Sequence, residues 1–162
     1  MISVPELNQK TKLLALEQLP SSIATQLAID AITKDIQAHK QAKNWLNHRE
    51  VRLNLAFALA KAVLENESLG VYSTVEEKRN DKKYFIYNLY ECLTCLFESF
   101  RTGVDKEMGS KLRRKLLRHD LNFYVKALCI LKHKAKEVFV NKEDITNLID
   151  EYIENLIKKI VT

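Results

Sequence analysis

Apolar side chains recur at helical rather than strand spacing along most of the chain. The clearest case is the segment 145–161, where they recur at i, i+3, i+4 and i+7 and predict one buried helix face. That face consists of Ile145, Leu148, Ile149, Tyr152, Ile153, Leu156 and Ile160. Acidic residues lie early in the segment and Lys158 and Lys159 lie late, as the helix dipole favours. Asn141 together with Asp144 is predicted to cap this last helix.

The N-terminal part of the chain shows helical periodicity bounded by Pro and Ser. Pro5 predicts the start of a first helix, and Pro20 predicts its end near Leu19. A second helix is predicted to be capped by Ser21 or Ser22. Its predicted buried stripe consists of Ile23, Leu27, Ile32 and Ile36.

Two further helices are predicted in the middle of the chain. The segment 49–67 is apolar on most sides after Leu53, which predicts a central buried helix that stops before Gly70. The segment 81–101 is rich in aromatic residues and is predicted to end at Gly103. Thr74 and Glu77 have the spacing of a capping box. The mixed-charge run 76–83 is therefore predicted to form a solvated first turn or an exposed loop.

Composition favours an all-α fold. Of the 162 residues, 46% are hydrophobic and 29% are charged, as in globular chains long enough to bury a core. The chain has only three Gly and two Pro, whereas strand-rich folds use these residues in many turns. We therefore predict one domain over residues 1–162, a single compact bundle of about five to six helices.

Positive charge is concentrated in the segment Ser110–Lys136. This segment holds nine Lys or Arg and one acid, Asp120, a net charge of +8 in a chain whose total is +5. A continuous helix over it would be about 40 Å long at ~1.5 Å per residue, although Gly109 or His119–Asp120 would be natural breaks. One face of that helix would be polar and largely cationic, opposite an apolar face: Lys111, Lys115, Arg118, Asn122, Lys126, His133 and Lys136.

This cationic face predicts a surface that binds nucleic-acid phosphates. Successive turns would present a cation every ~5.4 Å, close to the spacing of phosphates along an extended strand. No base-reading pattern accompanies the cations, so backbone contact without sequence readout is expected. A solvated face that only maintains solubility is the alternative. The candidate residues are Lys111, Arg114, Lys115, Arg118, Lys126, Lys132, His133 and Lys136, with Arg49 and Arg52 from a smaller basic zone.

The sequence contains no pattern typical of a cofactor site, a metal site or a membrane segment. Cys92 and Cys95 form a C-x2-C pair, but they lie in an apolar helical segment with no second pair, so buried reduced thiols are predicted rather than zinc ligands. There is no stretch of 18 apolar residues and no signal-peptide pattern, which predicts a cytoplasmic protein without a membrane partner. Phosphate-binding loops and paired catalytic acids are also absent, so no catalytic centre is predicted.

One motif points to an enzyme instead. Four residues separate Arg114 from His119, which resembles the R-x4–6-H signature of HEPN-domain ribonucleases, themselves small helical domains. The resemblance implies metal-independent cleavage of RNA, with the Arg and the His acting on the ribose-phosphate, usually across a dimer. A coincidental match in a basic run is the alternative, because the two residues would point about 140° apart on a straight helix.

Size, predicted helicity and charge layout over the whole chain resemble the small subunits of CRISPR–Cas effector complexes of the Cascade type. The resemblance implies a non-catalytic helical subunit in antiviral defence that holds a target or displaced strand, DNA or RNA, by its backbone. It implies a multisubunit ribonucleoprotein, with other protein subunits as partners and with self-association in several copies. It carries over no residue by identity, so the candidates remain the cations named above.

A protein–protein interaction module without nucleic acid is the remaining alternative. Such a module would use the acidic last helix and an aromatic cluster in the segment 81–101. About half of that cluster is expected to pack in the core, and Tyr87 is a candidate for exposure. The cluster consists of Tyr84, Phe85, Tyr87, Tyr90, Phe97 and Phe100.

Overall fold

Six α-helices and no strand make up residues 21–162, the part of the chain that this computed structural model describes. The helices are α1 (Ser21–Leu46), α2 (Arg49–Val63), α3 (Val75–Thr102), α4 (Ser110–Leu116), α5 (Leu121–Val138) and α6 (Glu143–Val161). The predicted all-α fold is confirmed. The first predicted helix, Pro5 to Leu19, lies outside the described residues.

The chain divides into two compact units, residues 1–38 and residues 39–162, and each is described by itself. The described residues of the first unit belong to α1, and its predicted buried stripe is wrong. Ile23, Leu27, Ile32 and Ile36 are 43–58% exposed. At about 100° per residue the last two lie roughly 180° from the first two, so one helix face cannot bury all four. One domain over residues 1–162 stays a prediction.

The core of the second unit lies between α3, α5 and α6. All seven residues of the predicted stripe on α6 are buried, which confirms that pattern. Helix α6 packs against α5 and α3, and α2 packs against the same two helices. Burial of one large apolar side chain stabilises the fold by roughly 1.5–3 kcal/mol, so this interior fixes the helices more firmly than propensity does. The α3 and α5 side chains that fill it include Phe85, Leu89, Leu93, Phe100, Tyr124, Leu128 and Leu131.

Both predicted end signals of α3 are confirmed. The Thr74 hydroxyl accepts a hydrogen bond from the Glu77 amide at 3.1 Å, and the Glu77 carboxylate accepts one from the Ser73 amide at 3.0 Å. Gly103 ends the helix in the left-handed conformation, with φ 69°. Because the capping box lies at Thr74, α3 begins at Val75 rather than near residue 81, and the mixed-charge run forms its first turns.

Two other boundaries differ from prediction. Helix α2 ends at Val63 rather than near residue 67, and the prediction of a central buried helix is wrong, because α3 and α5 cover one side and leave Leu53 and Phe57 exposed. Helix α6 follows Lys142, which provides no side-chain cap. The predicted cap residue, Asn141, instead adopts a left-handed conformation with φ 63°, which Asn tolerates better than most residues.

The basic segment forms two helices rather than one. Of the two arrangements that the sequence leaves open, the continuous 27-residue helix does not occur. Helix α4 ends at Leu116, a turn covers residues 117–120, and α5 begins at Leu121. Gly109 precedes α4, and the Asp120 side chain caps α5 by accepting a hydrogen bond from the Asn122 amide at 3.0 Å. Gly109 and Asp120, the two breaks that the sequence offers, therefore lie at the starts of α4 and α5. The cations of α4 and α5 consequently do not share one helix face.

Candidate nucleic-acid interface

The candidate site is built on α4, a helix of seven residues that carries exposed cations. Leu112 and Leu116 are buried at i, i+4 spacing and fasten this short helix to α3. Three of the other positions are exposed and carry cations that form no ion pair among residues 21–162. These cations are Lys111, Arg113 and Arg114. Together with Arg118 in the following turn they form what we call the α4 surface.

Several other predicted cations are neutralised by acids from elsewhere in the second unit. Exposed ion pairs of this kind stabilise a fold by only about 0–1 kcal/mol, but they cancel the charge that a phosphate would meet. The pairs are Lys115–Glu91 at 2.9 Å, Lys126–Glu67 at 2.7 Å and Lys132–Glu154. His133 and Lys136 are exposed on α5 and form no ion pair among the described residues. The predicted cationic face is thus reduced mainly to its N-terminal part.

Arg118 lies over an aromatic ring of α3. Its guanidinium carbon is 4.4 Å from the centroid of the Tyr84 ring, a cation–π geometry. Tyr84 is 50% exposed, and Tyr87, one turn further along α3, is 59% exposed. The sequence alone places these tyrosines on α3 but does not reveal that the turn after α4 packs against them. Arg113 is likewise not among the predicted residues, because a continuous helix turns it away from the shared face.

A buried chain of hydrogen bonds holds the turn that presents Arg118. His119 Nε2 contacts the Asp81 carboxylate at 2.7 Å, and His119 Nδ1 contacts the Tyr124 hydroxyl at 2.9 Å. Asn88 Nδ2 donates to that same hydroxyl at 3.0 Å, and the Tyr72 hydroxyl donates to Asp81. The turn is therefore tied to α3 directly, through His119 and Asp81, and indirectly, through Tyr124 and Asn88.

The acidity of these groups follows from their surroundings. Desolvation opposes ionisation of Asp81, but hydrogen bonds from Tyr72 and His119, with the charges of His119 and Arg118, outweigh it and lower the pKa of the carboxyl. Desolvation and the bond to Asp81 raise the pKa of Tyr72 to about 12. Burial also raises the pKa of Tyr124. The chain of hydrogen bonds therefore contains the ionised carboxylate of Asp81, the neutral phenols of Tyr72 and Tyr124, and the imidazole of His119.

The two residues of the ribonuclease-like motif lie in different environments. His119 is buried, and both its ring nitrogens contact groups of the fold. Arg114 points to solvent on α4. A catalytic His must reach the proton that it transfers, directly or through one water molecule. In this arrangement His119 contributes to the structure of the turn, and no observation favours a nuclease.

The secondary basic zone contributes one exposed residue. Arg49 is exposed in the first turn of α2. Arg52 is buried, and its contact with nucleic acid stays a prediction. Its Nη1 donates to the carbonyl oxygens of Leu46 at 2.7 Å and Asn47 at 3.2 Å, and its guanidinium lies over Phe97 at 4.8 Å. Arg52 therefore satisfies the orphan carbonyls at the end of α1.

The thiols and the aromatic cluster are mainly structural. Cys92 is buried, and desolvation raises the pKa of its thiol, whereas Cys129 is exposed on α5. Among residues 21–162 there is no group of three or more His, Cys, Asp or Glu placed to hold a metal ion. In the aromatic cluster, Phe85 and Phe100 are buried, and Tyr90 and Phe97 are half-buried. Tyr84 and Tyr87 are its exposed members.

Comparisons with other proteins do not extend this picture. Neither protein-family models, nor curated proteins, nor solved structures give a match to this chain. Within the described residues, no helix has the length and hydrophobicity needed to cross a bilayer. Function must therefore be inferred from the α4 surface itself.

Proposed function

We propose that this protein binds the phosphate backbone of a nucleic acid through the α4 surface and does so without catalysis. The supporting observation is that Lys111, Arg113 and Arg114 lie exposed on a helix of seven residues with no acidic partner in the described chain. Like charges this close on a helix repel each other and reduce stability. A polyanion would relieve that repulsion, and release of its counterions would drive binding.

The residue types suit phosphate better than a base edge. Arginine presents a planar fork that matches two phosphate oxygens, and lysine acts as a compact point charge. Such contacts fix the position of a strand and carry no sequence information. We therefore expect affinities that differ little between oligonucleotides of different sequence and equal length.

A salt series tests the proposal. The protein would be titrated into a fluorescently labelled oligonucleotide between about 50 and 200 mM salt, with anisotropy as the readout. We expect the logarithm of the affinity to fall linearly with the logarithm of salt concentration, by about 0.7–0.9 for each phosphate neutralised. An affinity that does not change over this range would contradict the proposal.

Two single variants provide a matched comparison. Arg114→Gln and Lys126→Gln each remove one positive charge, but only Lys126 is already paired, with Glu67 at 2.7 Å. The salt slope is the fall in the logarithm of the affinity per unit logarithm of salt concentration. Arg114→Gln should reduce this slope by about 0.7–0.9, the value for one phosphate contact, and Lys126→Gln should reduce it by less. Equal effects would show that net charge, rather than the α4 surface, determines binding.

The resemblance to small subunits of CRISPR effector complexes extends the proposal to a place in a larger ribonucleoprotein. Such a subunit needs protein neighbours as well as a strand to hold. Expression beside the genes that adjoin its own, followed by affinity purification, tests this extension. We expect the protein to elute in a complex that contains nucleic acid, and elution alone at low salt would contradict the extension while leaving strand binding intact.

A further inference from the structure

One exposed tyrosine lies against the α4 surface, and a second is exposed one turn further along the same helix. Tyr84 and Tyr87 are one turn apart on α3, and the Arg118 guanidinium lies over the Tyr84 ring. In the next turn of α3, Asn88 Nδ2 donates to the carbonyl oxygen of Lys115 at 3.4 Å. Helix α4 and the turn after it therefore run alongside the stretch of α3 that carries the two rings. Cations for phosphates and flat rings for bases are thus adjacent.

We infer that this combined surface binds single-stranded nucleic acid, with the α4 cations on phosphates and the exposed tyrosines against unpaired bases. The inference rests on the proposed function and names its substrate class. Tyr87 takes part in no ring contact and no hydrogen bond among residues 21–162, and 59% of its surface is exposed. Its ring is therefore available to a base without the loss of a contact within the described chain.

The neighbouring Tyr84 offers a second position. One of its faces carries the Arg118 guanidinium, and a planar guanidinium can itself stack on a base. The two tyrosines are separated by about 4.5 Å along the helix axis, at ~1.5 Å per residue. This separation suits two neighbouring bases of one strand, with Arg118 beside the first of them.

Strand preference follows from where base faces are accessible. In a duplex each face is covered by the next base pair, whereas a single strand can turn its bases out onto aromatic side chains. Stacking of one base on an aromatic ring changes affinity by roughly 5- to 150-fold. A surface made only of cations would favour the duplex, because its charge density is higher.

The experiment compares three probes of equal length, a single-stranded RNA, a single-stranded DNA and a duplex, with the full chain and its variants. We expect the wild type to bind at least one single strand more tightly than the duplex. Tyr87→Ala should weaken single-strand binding by about tenfold, leave duplex binding within about twofold, and leave the salt slope unchanged. Tyr87→Phe keeps the ring and should stay within about twofold of wild type.

A matched control removes an exposed aromatic ring elsewhere. Phe57 on α2 is 56% exposed, so Phe57→Ala makes a change of similar size and should leave all three affinities unchanged. Circular dichroism confirms that each variant is folded. Equal loss of single-strand and duplex binding in Tyr87→Ala, or no loss of either, would overturn the inference and leave phosphate binding standing. If the wild type binds none of the three probes at low salt, the proposed function fails as well.

Discussion

Tyr124→Phe removes one hydroxyl from the buried chain of hydrogen bonds that holds the turn between α4 and α5. That hydroxyl accepts a hydrogen bond from Asn88 Nδ2 at 3.0 Å and contacts His119 Nδ1 at 2.9 Å. The imidazole of His119 therefore bridges the Tyr124 hydroxyl on one side and the Asp81 carboxylate, which its Nε2 contacts at 2.7 Å, on the other. The phenyl ring itself remains, so the change isolates polar contacts from packing.

The magnitude follows from which groups lose their partners. His119 Nδ1 loses its partner in the described chain, and a buried polar atom left unsatisfied costs about 1–3 kcal/mol. Asn88 loses one hydrogen bond, worth about 0.5–1.5 kcal/mol, and keeps a longer contact to the carbonyl of Lys115 at 3.4 Å. We expect Tyr124→Phe to lower the free energy of unfolding by about 2–3 kcal/mol, a large share of the stability of a typical domain.

Urea unfolding followed by far-ultraviolet circular dichroism measures the effect. The slope of unfolding free energy against urea should stay the same, so the midpoint should fall by roughly 1 M or more. Tyr87→Phe is the matched control, since it removes the hydroxyl of an exposed tyrosine and should change stability by less than about 0.5 kcal/mol. If both variants unfold within about 0.5 kcal/mol of wild type, the chain of hydrogen bonds does not hold the turn as described.

Three further predictions concern stability. Thr74→Ala removes the cap of α3 and should cost about 1 kcal/mol by urea unfolding, whereas an unchanged midpoint would contradict the cap. Arg52→Met leaves two carbonyl oxygens at the end of α1 without their buried donor and should cost about 2 kcal/mol or more, while Arg49→Met, at an exposed position, should cost under about 0.5 kcal/mol. The lowered pKa of Asp81 stabilises the fold above the ordinary carboxyl pKa of about 4, and this contribution is lost as pH falls through the folded pKa. The stability difference between wild type and Asp81→Asn should therefore shrink on acidification, and a pH-independent difference would be contrary to the assigned hydrogen bonds.

The sequence predicts best the features that depend on neighbours along the chain. The buried stripe of α6, the capping box at Thr74 and the left-handed Gly103 all follow from spacing within one helix, and the structure confirms them. Residue spacing also identifies Gly109 and Asp120 as natural breaks in the basic segment, although it does not decide between broken and continuous helices.

Features that depend on packing between helices are not visible in residue spacing. Lys126 is neutralised by Glu67, 59 residues earlier in the chain, and no local pattern indicates that pair. In the sequence Arg52 resembles an exposed cation, but in the structure it is buried and donates to the carbonyl oxygen of Leu46 at the end of α1. Residue spacing likewise does not indicate the contact of Arg118 with Tyr84, which places that ring beside the α4 surface. The sequence therefore predicts Lys111, Arg114 and Arg118 of the α4 surface, whereas Arg113 and the neighbouring Tyr84 ring are identified only from the fold.

The central claim is that the unpaired cations of the α4 surface, rather than total charge, determine nucleic-acid binding. The most direct measurement compares the salt slopes of two triple variants that each remove three positive charges. One variant is Lys111→Gln, Arg113→Gln and Arg114→Gln, and the other is Lys115→Gln, Lys126→Gln and Lys132→Gln. The first should reduce the slope by about 2–3, and the second should leave most of it. Equal slopes for the two variants, or a wild type whose affinity ignores salt, would contradict the account.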